Sequence, residues 1–333
     1  MLGGLFLLGF TAVGCGGGTV PGGMAGSGGT GNTGGDTGDT GGSSGVTIYR
    51  PCASDQRIGG FSAEMVVMEG NSPYSAFTGA VRNGVDPRDV WSGASNATGC
   101  ALVTGPSLSC LPACGTPMIC AGQNRCIAEP ASQDAGTVTI TGFGSAKLDV
   151  APIVSPPRIS YYKSLTNPYP PFSPGAAISL TAAGAAFPAF SLEGRGIEPL
   201  MFPGTGIVIA PGQPLLLTWS APAQPGAARI FIRVNIAFHG GIAARIDCNV
   251  DDTGMAQIPA DLVSMLIDRG TAGFPSVTLI RRTVDSKTIG PGCVDFTVAS
   301  PVERIVMVEG VTSCNLDTDC PTGQTCKPNL KCS

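Results

Sequence analysis

The chain has 333 residues, a formal net charge of −4 at pH 7, and only 13% charged and 6% aromatic residues. This length is enough for one large domain or two ordinary domains with real cores. An acidic chain without a Lys/Arg run lacks the basic patch that nucleic acids bind, so we expect no nucleic-acid partner. The 49 glycines and 28 prolines disfavour a helical protein and favour short strands joined by many turns.

An apolar run opens the chain at residues 2–10, too short to span a bilayer but suited to the h-region of a secretory signal. It ends at Ala12-Val13-Gly14-Cys15, which resembles the lipobox of bacterial lipoproteins. The resemblance implies a signal peptide over residues 1–14, cleavage before Cys15, and a diacylglycerol on its thiol that makes the membrane a partner. An ordinary cleaved signal is the alternative, in which Cys15 is incidental. Both interpretations export the chain, and lipidation would hold it in the cell envelope, at the outer membrane or the cell surface.

A glycine-rich stretch follows the leader. Half of residues 16–45 are glycine, and the rest are mostly Ser, Thr and Asp. Such a composition cannot seed a core, so we predict that residues 15–45 are a lipid-anchored, disordered tether. The tether would hold a folded head off a membrane surface without fixing its orientation.

Cysteine usage indicates an oxidising compartment. An even set in an exported chain predicts six disulfides. The twelve cysteines other than Cys15 are Cys52, Cys100, Cys110, Cys114, Cys120, Cys126, Cys248, Cys293, Cys314, Cys320, Cys326 and Cys332. Two quartets, within residues 110–126 and 314–332, lack the paired Cys-x2-Cys knuckles of zinc ribbons, so we expect disulfides and no metal.

The disulfide map follows from spacing. We expect each quartet to close within itself, because cysteines so close in sequence are one another's nearest partners. Four cysteines allow three pairings, of which we favour first to third and second to fourth. This leaves Cys52 to pair with Cys100, and Cys248 to pair with Cys293.

Strand patterns fill the rest of the chain. Residues 46–109 are predicted to form a small β region with strands at 61–68, 76–85 and 100–104, followed by a Cys-rich module at 110–130. Residues 131–310 are predicted to form an all-β sandwich, because apolar and polar residues alternate at 136–142, 229–237 and 244–250. Further strands are expected at 215–220, 277–282, 294–298 and 303–308, a short helix at 259–268, and a C-terminal Cys-rich module at 311–333.

Three segments of this second half carry a resemblance. They are residues 217–222 (Leu-Thr-Trp-Ser-Ala-Pro), the strand from Arg229, and the turn at 251–254 (Asp-Asp-Thr-Gly) with Ile258-Pro259. Together they resemble the immunoglobulin-like repeat of secreted cell-wall and surface proteins. The C-terminal quartet resembles short Cys-rich repeats of secreted bacterial proteins and, distantly, Dickkopf-type modules. The whole arrangement is similar to uncharacterised surface lipoproteins of Gram-negative bacteria, a family that implies no particular activity.

One aromatic cluster is a candidate ligand site. Tyr161, Tyr162, Tyr169 and Phe172 lie among six prolines within residues 156–174. They could present an aromatic face to a sugar or a peptide. The alternative is a stiff loop packed over the edge of a sandwich.

The catalytic options are few. His239 is the only histidine of the sequence. A catalytic triad with a histidine base could therefore use only His239, and a zinc site with two or three histidines is excluded. Asp252-Thr253-Gly254 matches the bare aspartic-protease tripeptide, but a hairpin turn explains it better. Asn315, Asp317 and Asp319 offer oxygens at alternate positions, yet calcium requires six to eight, so we interpret them as a solvated turn.

These observations predict a non-catalytic surface lipoprotein that serves as a binding or structural module of the cell envelope. No catalytic residue and no cofactor is assigned, and a surface protein or a glycan is the expected partner. The alternative is an exported hydrolase whose site is built from Asp and Glu alone. Two carboxylates facing each other in a deep cleft would favour that alternative.

Overall fold

The computed structural model describes residues 48–67, 72–93, 96, 98–165, 168–203, 206–226, 228–238 and 244–333. Strands dominate this part of the chain, which confirms the all-β prediction. The first ten are β1 (Arg57–Val66), β2 (Tyr74–Arg82), β3 (Cys100–Thr104), β4 (Met118–Cys120), β5 (Cys126–Ala128), β6 (Ser132–Gln133), β7 (Val138–Thr141), β8 (Leu148–Val150), β9 (Ile153–Ser155) and β10 (Arg158–Leu165). The next ten are β11 (Ala177–Ala182), β12 (Phe190–Arg195), β13 (Val208–Ile209), β14 (Leu215–Thr218), β15 (Arg229–Asn235), β16 (Ala244–Asp251), β17 (Met255–Ile258), β18 (Ser276–Ile289), β19 (Gly292–Ile305) and β20 (Met307–Val308). One α-helix, α1, spans Ala260–Asp268, and 3-10 turns span Pro87–Asp89 and Asp317–Asp319.

One large sheet organises the fold. Its strand order is β3-β16-β15-β18-β19-β1-β2-β10-β9, with β6 paired to β2 outside this path. Strand β1 runs parallel to β19, and the other neighbours along this path are antiparallel. The predicted small β region at 46–109 is therefore not a separate sheet, because β1, β2 and β3 complete the sheet of the following strands. A strand pattern shows which face is buried but not which strand will be its neighbour.

The longest strands form a hairpin at the centre of this sheet. Strands β18 and β19 pair without interruption from Ser276 opposite Ile305 to Ile289 opposite Gly292. The predicted strand at 303–308 joined the end of β19 to β20, which are separate strands. The predicted strands at 277–282 and 294–298 were too short, because charged and polar residues around Asp285 and Pro301 interrupt the apolar runs. Those interruptions lie inside the paired ladder rather than between strands.

The first core lies under one half of the large sheet. A second sheet, with strand order β12-β11-β7-β8, packs face to face on β1, β2 and β19. The two sheets approach closely where Gly194 faces Val298, because a Cβ on Gly194 would lie 2.6 Å from Val298 Cγ2. The buried aromatic side chains of this core are Phe61, Phe77, Phe143, Tyr161, Phe172, Phe187, Phe190 and Phe296. This half is a β-sandwich, as expected, but it includes β1 and β2 from outside the predicted range of 131–310.

The second core lies under the other half of the same face. Helix α1 and two small ladders, β14 with β17 and β13 with β20, cover strands β15, β16, β18 and β19 there. The predicted helix is confirmed, although Pro259 is its N-cap residue rather than part of its first turn. Leu262, Val263 and Leu266 form its buried side.

The described residues form six disulfides, and the two quartets close as predicted. The pairs within the quartets are Cys110–Cys120, Cys114–Cys126, Cys314–Cys326 and Cys320–Cys332. The prediction for the remaining four cysteines was wrong, since the structure joins Cys52 to Cys293 and Cys100 to Cys248. Sequence proximity misled here, because β3 pairs with β16 and places Cys100 directly opposite Cys248.

Candidate binding face

A row of arginines and aromatic rings crosses the face of the large sheet that points away from the two cores. Side chains alternate between faces along each strand, so every second residue of β15, β16 and β18 reaches this side. We call this surface the arginine face and define it by Tyr49, Trp91, Arg229, Phe231, Arg233, Arg245, Asp247, Asp251 and Arg282. As the alternation at 229–237 and 244–250 predicts, Arg229, Arg233, Arg245 and Asp247 lie on the side of β15 and β16 opposite the buried apolar residues.

Ion pairs run between β15 and β16. Arg229 lies opposite Asp251 in the ladder and pairs with it, and Arg233 lies opposite Asp247, with 3.0 Å between Nε and Oδ1. Arg245 also donates to Asp247, at 3.0 Å from its Nε to Oδ2. Two guanidinium groups therefore share the single carboxylate of Asp247.

Arg282 breaks the pattern of paired charges. It lies directly opposite Arg229 in the ladder between β18 and β15, and like charges opposite each other destabilise a sheet. Its guanidinium lies 4.3 Å from the centre of the Phe231 ring, and its Nη2 donates to the Tyr49 hydroxyl at 3.0 Å. Among the described residues no carboxylate forms an ion pair with Arg282.

Two aromatic residues reach the face from outside the large sheet's strands. Tyr49 is held by a short parallel bridge to Val284, in which Arg50 N–H donates to Val284 O at 2.7 Å. Its ring centre lies 5.6 Å from the Arg229 guanidinium and 5.7 Å from that of Arg282. Trp91 follows the 3-10 turn at Pro87–Asp89, and its ring centre lies 3.7 Å from the guanidinium of Arg245. Each ring thus lies against an arginine.

The arginines are partly desolvated. Burial and, to a smaller extent, the positive charge of the neighbouring Arg233 lower the pKa of Arg245 to about 10, against the opposing effect of Asp247. Burial also lowers the pKa of Arg282. Both guanidinium groups stay charged at pH 7, but at a free-energy cost that an added negative charge would offset.

Unpaired buried polar atoms are concentrated at the same place. Five buried side-chain nitrogen or oxygen atoms of the described residues have no hydrogen-bond partner, and three of them are Arg229 Nε, Arg282 Nε and Asn249 Oδ1. Asn249 lies opposite Phe231, between the arginine pairs. Buried polar groups nearly always have hydrogen-bond partners in folded proteins, so this clustering indicates that the face lacks partners for its polar atoms.

Two depressions open to solvent flank the arginine face. One, of about 500 Å³, is lined by Tyr49, Arg229, Asn249, Asp251 and Thr253 among others. The other, of about 280 Å³, includes Arg57, Ser62, Asp89 and Asp295. Burial raises the pKa of Asp295, which accepts a hydrogen bond from Cys52 N–H at 2.7 Å and lies 3.8 Å from Arg57 Nη1. Asp89 pairs with Arg82 at 2.7 Å, so both carboxylates of this depression have arginine partners.

Asp252 of the Asp-Thr-Gly turn is a structural residue. Its side chain is buried and accepts hydrogen bonds from Trp219 Nε1 at 2.7 Å and from Arg281 Nε. Arg281 is 1% exposed and also donates to the carbonyl oxygens of Glu198, Pro199 and Ser220. It lies opposite Ser300, which is flanked on β19 by Val298 of the first core and Val302 of the second. The two cores therefore meet at a buried polar seam, and Asp252 has no free carboxylate for catalysis.

The predicted aromatic face does not form. The stretch expected to be a loop contains strand β10, in which Tyr161 and Tyr162 point to opposite sides of the sheet. Tyr161 is buried, with its hydroxyl accepting from Ala135 N–H at 2.8 Å, and Phe172 is buried in the first core, whereas Tyr162 is 49% exposed. Tyr169 is half-buried, so the four rings share no surface.

The other sequence candidates are resolved as follows. Asp319 accepts the N–H groups of Asn315 and Leu316, and Asp317 accepts that of Cys326, so both carboxylates hold the C-terminal loop together. Three groups that contain cysteine sulfurs are compact enough for a metal, but each of these sulfurs belongs to a disulfide and is not a thiolate. Cys15, the glycine-rich stretch and His239 lie outside the described residues.

Sequence reasoning missed Tyr49, Trp91 and Arg282 as members of a common face. Arg281 and Arg282 carried a signal, because adjacent residues of a strand point to opposite faces and one of two adjacent arginines must then face the core. Tyr49 and Trp91 gave no such signal. They lie outside regular strands and reach the face only through the folded positions of their segments.

No protein-family model matches the chain, and no curated protein matches it. A crystal structure of the FN1–FN3 domains of chicken CNTN1 is similar over 71% of this chain and 76% of that chain, with 10% sequence identity and a TM-score of 0.19. Within the described part of the chain, no helix has the length and apolarity that crossing a membrane requires.

Proposed function

We propose that the chain is a non-catalytic binding module of the cell envelope, exported and lipid-anchored through Cys15, with the arginine face as its recognition surface. The leader, its lipobox-like end and the even set of cysteines support the location. The observation that carries the binding role is the arginine face itself, where four arginines are matched by two aspartates. Among the described residues no carboxylate lies within ion-pair distance of Arg282, and the charge of Asp295 acts on it only from farther away.

The arrangement of charges on the arginine face differs from that of an ion-pair ladder that serves only stability. A ladder that serves only stability is expected to have an acidic residue opposite Arg229 on both neighbouring strands. Strand β16 has Asp251 at that position, but β18 has Arg282. Partly buried charges without partners have a cost in the free protein that a ligand can relieve. This is the physical reason for assigning recognition to this side of the sheet.

The alternative of a hydrolase that uses only Asp and Glu has weaker support. Asp295, with its raised pKa, and Asp89 line one depression together, but each has an arginine partner and the depression is open. General acid catalysis requires a carboxylate in contact with substrate, whereas Asp295 is engaged with Cys52 N–H. We therefore favour binding over catalysis.

The test is recovery of a partner from a cell-envelope extract by the purified mature chain. We expect the wild-type chain to retain a component that the variant Arg233→Gln/Arg282→Gln does not retain. Retention by both proteins would remove the arginine face from the proposal. Hydrolysis of an envelope polymer that is lost in Asp89→Asn/Asp295→Asn would replace binding with the hydrolase alternative.

A further inference from the structure

The arginine face carries a local charge opposite to that of the whole protein. Four arginines, Arg229, Arg233, Arg245 and Arg282, are accompanied by Asp247 and Asp251. The neighbouring Arg57–Asp295 ion pair adds one charge of each sign, so the surplus is two positive charges. The complete chain has a net charge of −4. A positive surface on an acidic protein attracts anions locally while the rest of the molecule repels them.

The surplus is fixed in place by the strands. Arg245 lies on β16, Arg233 on β15 and Arg282 on β18, three adjacent strands about 4.8 Å apart. Along the strands the three cations are staggered, because Arg245 is two residues from Asp247, which lies opposite Arg233, and Arg282 lies opposite Arg229, four residues from Arg233. The rings of Trp91, Phe231 and Tyr49 hold the guanidinium groups in position. A linear ligand lying diagonally across the strands would meet the three positive charges in turn.

The shape of the face disfavours a peptide. Peptides are usually recognised by a free sheet edge, an apolar groove or a pocket for an anchoring side chain. The arginine face lies in the interior of the large sheet, where β15 has neighbours on both sides. Its aromatic rings are each covered by an arginine rather than open as an apolar pocket. A flat surface of charges and hydrogen-bonding groups suits a chain of carboxylates and hydroxyls.

We propose that the arginine face binds an acidic polysaccharide, a linear glycan whose sugar carboxylates lie over Arg233, Arg245 and Arg282. This inference rests on the proposed binding function and names its ligand class. The carboxylates would supply the negative charge that the face lacks, and the hydroxyls would reach polar groups such as Asn249, which lies between the arginine pairs. Because the arginines are partly exposed, the interaction weakens as salt is added.

The probe is polygalacturonate, a linear polymer of acidic sugars, with its fully methyl-esterified form as the matched uncharged polymer. Titration calorimetry with the mature chain should give binding to the acidic polymer that falls with ionic strength and is lost on esterification. The esterification comparison uses the wild-type protein, so it holds whether or not a variant folds. Equal binding of the two polymers, or no binding of the acidic one, would overturn the inference.

Variants locate the site. Arg233→Gln/Arg282→Gln should weaken binding by at least about tenfold, which corresponds to about 1.4 kcal/mol. Arg158→Gln/Arg269→Gln removes the same charge from two exposed arginines outside the face, at the far edge of the sheet and after α1, and should bind like the wild type. Equal weakening by both pairs would show that net charge, not the arginine face, attracts the polymer.

Poly-L-glutamate is the test of the competing ligand class. Tighter binding of this acidic peptide than of polygalacturonate would overturn the choice of a polysaccharide. The two proposals fail separately. If the envelope extract yields a partner that depends on Arg233 and Arg282 while polygalacturonate does not bind, the binding function stands and the ligand class is wrong.

Discussion

The carboxylate of Asp295 accepts the backbone N–H of Cys52 at 2.7 Å, although the two residues are 243 positions apart. The disulfide between Cys52 and Cys293 lies beside this hydrogen bond. Together they fix the segment that carries Tyr49 against the end of the central hairpin. The position of one aromatic ring of the arginine face therefore depends on a long-range covalent link.

The Cys52–Cys293 disulfide should contribute more stability than a disulfide within a quartet. It spans 241 residues, and the chain-entropy model assigns such a closure on the order of 5 kcal/mol, against about 3 kcal/mol for the 12-residue Cys320–Cys332 closure. Urea unfolding of Cys52→Ala/Cys293→Ala and Cys320→Ala/Cys332→Ala would measure both. A larger loss in the second variant would contradict the expectation, and peptide mapping without reductant checks the pairing itself.

Removing the cation of the buried seam should be strongly destabilising. Arg281→Met leaves the Asp252 carboxylate buried without its cation, which costs about 4 kcal/mol in comparable sites. The double variant Arg281→Met/Asp252→Leu removes both charges and should recover much of this loss. Chemical denaturation of the three proteins measures the difference. A double variant as unstable as the single one would show that burial of charge is not the cause.

The stability contributed by Asp86 should disappear in acid. Burial by itself would raise its pKa, but hydrogen bonds from the side chain and backbone of Arg88, with the charge of Arg82, lower it overall. A lowered folded-state pKa gives stability that is complete above the unfolded value near 3.8 and is lost as the pH falls through the folded value. Asp86→Asn should therefore cost about 2 kcal/mol at pH 7 and progressively less below pH 4. A cost independent of pH would contradict this assignment.

Asp295 should show the opposite dependence. Burial is the largest influence on its carboxyl and raises its pKa, against the Cys52 N–H and the arginine charges. The folded state then binds the proton more tightly, so stability falls as the pH rises from the unfolded value through the folded value. Asp295→Asn should abolish this fall, because the amide stays neutral throughout. Thermal unfolding between pH 3 and pH 7 measures it, with Asp86→Asn as the control of opposite sign.

The lipid anchor is tested separately from the folded part. Metabolic labelling with a palmitate analogue should label the wild-type chain and not Cys15→Ala. The reason is that the proposed diacylglycerol is attached to that thiol. An unlabelled wild-type chain, or equal labelling of the variant, would contradict the anchor and leave only export by a cleaved signal.

Local patterns in the sequence predicted much of the fold. Alternation identified β15 and β16 and their polar sides, and the spacing of the quartets predicted that each quartet closes within itself. Strand partners were not predictable in the same way, because strands pair through backbone hydrogen bonds. The side-chain pattern of β1 therefore does not identify β19 as its neighbour. The Cys100–Cys248 pair followed from such a partnership. The arginine face was not predictable for the same reason. Tyr49 reaches Arg282 only because a β-bridge joins Tyr49 to Val284, which is 235 positions away in the sequence.

The Cys52–Cys293 link also decides how the folded part would carry mechanical load. A pull on the chain from its N-terminal side would reach residue 52 before β1 begins, and the disulfide would pass the force directly to the start of β19. Strand β1 would then be shielded from being peeled off the sheet one hydrogen bond at a time. The force would instead act on the central hairpin, whose two long strands must be sheared or unzipped together. With the disulfide reduced, the same pull would detach β1 first, so the head would yield at a lower force.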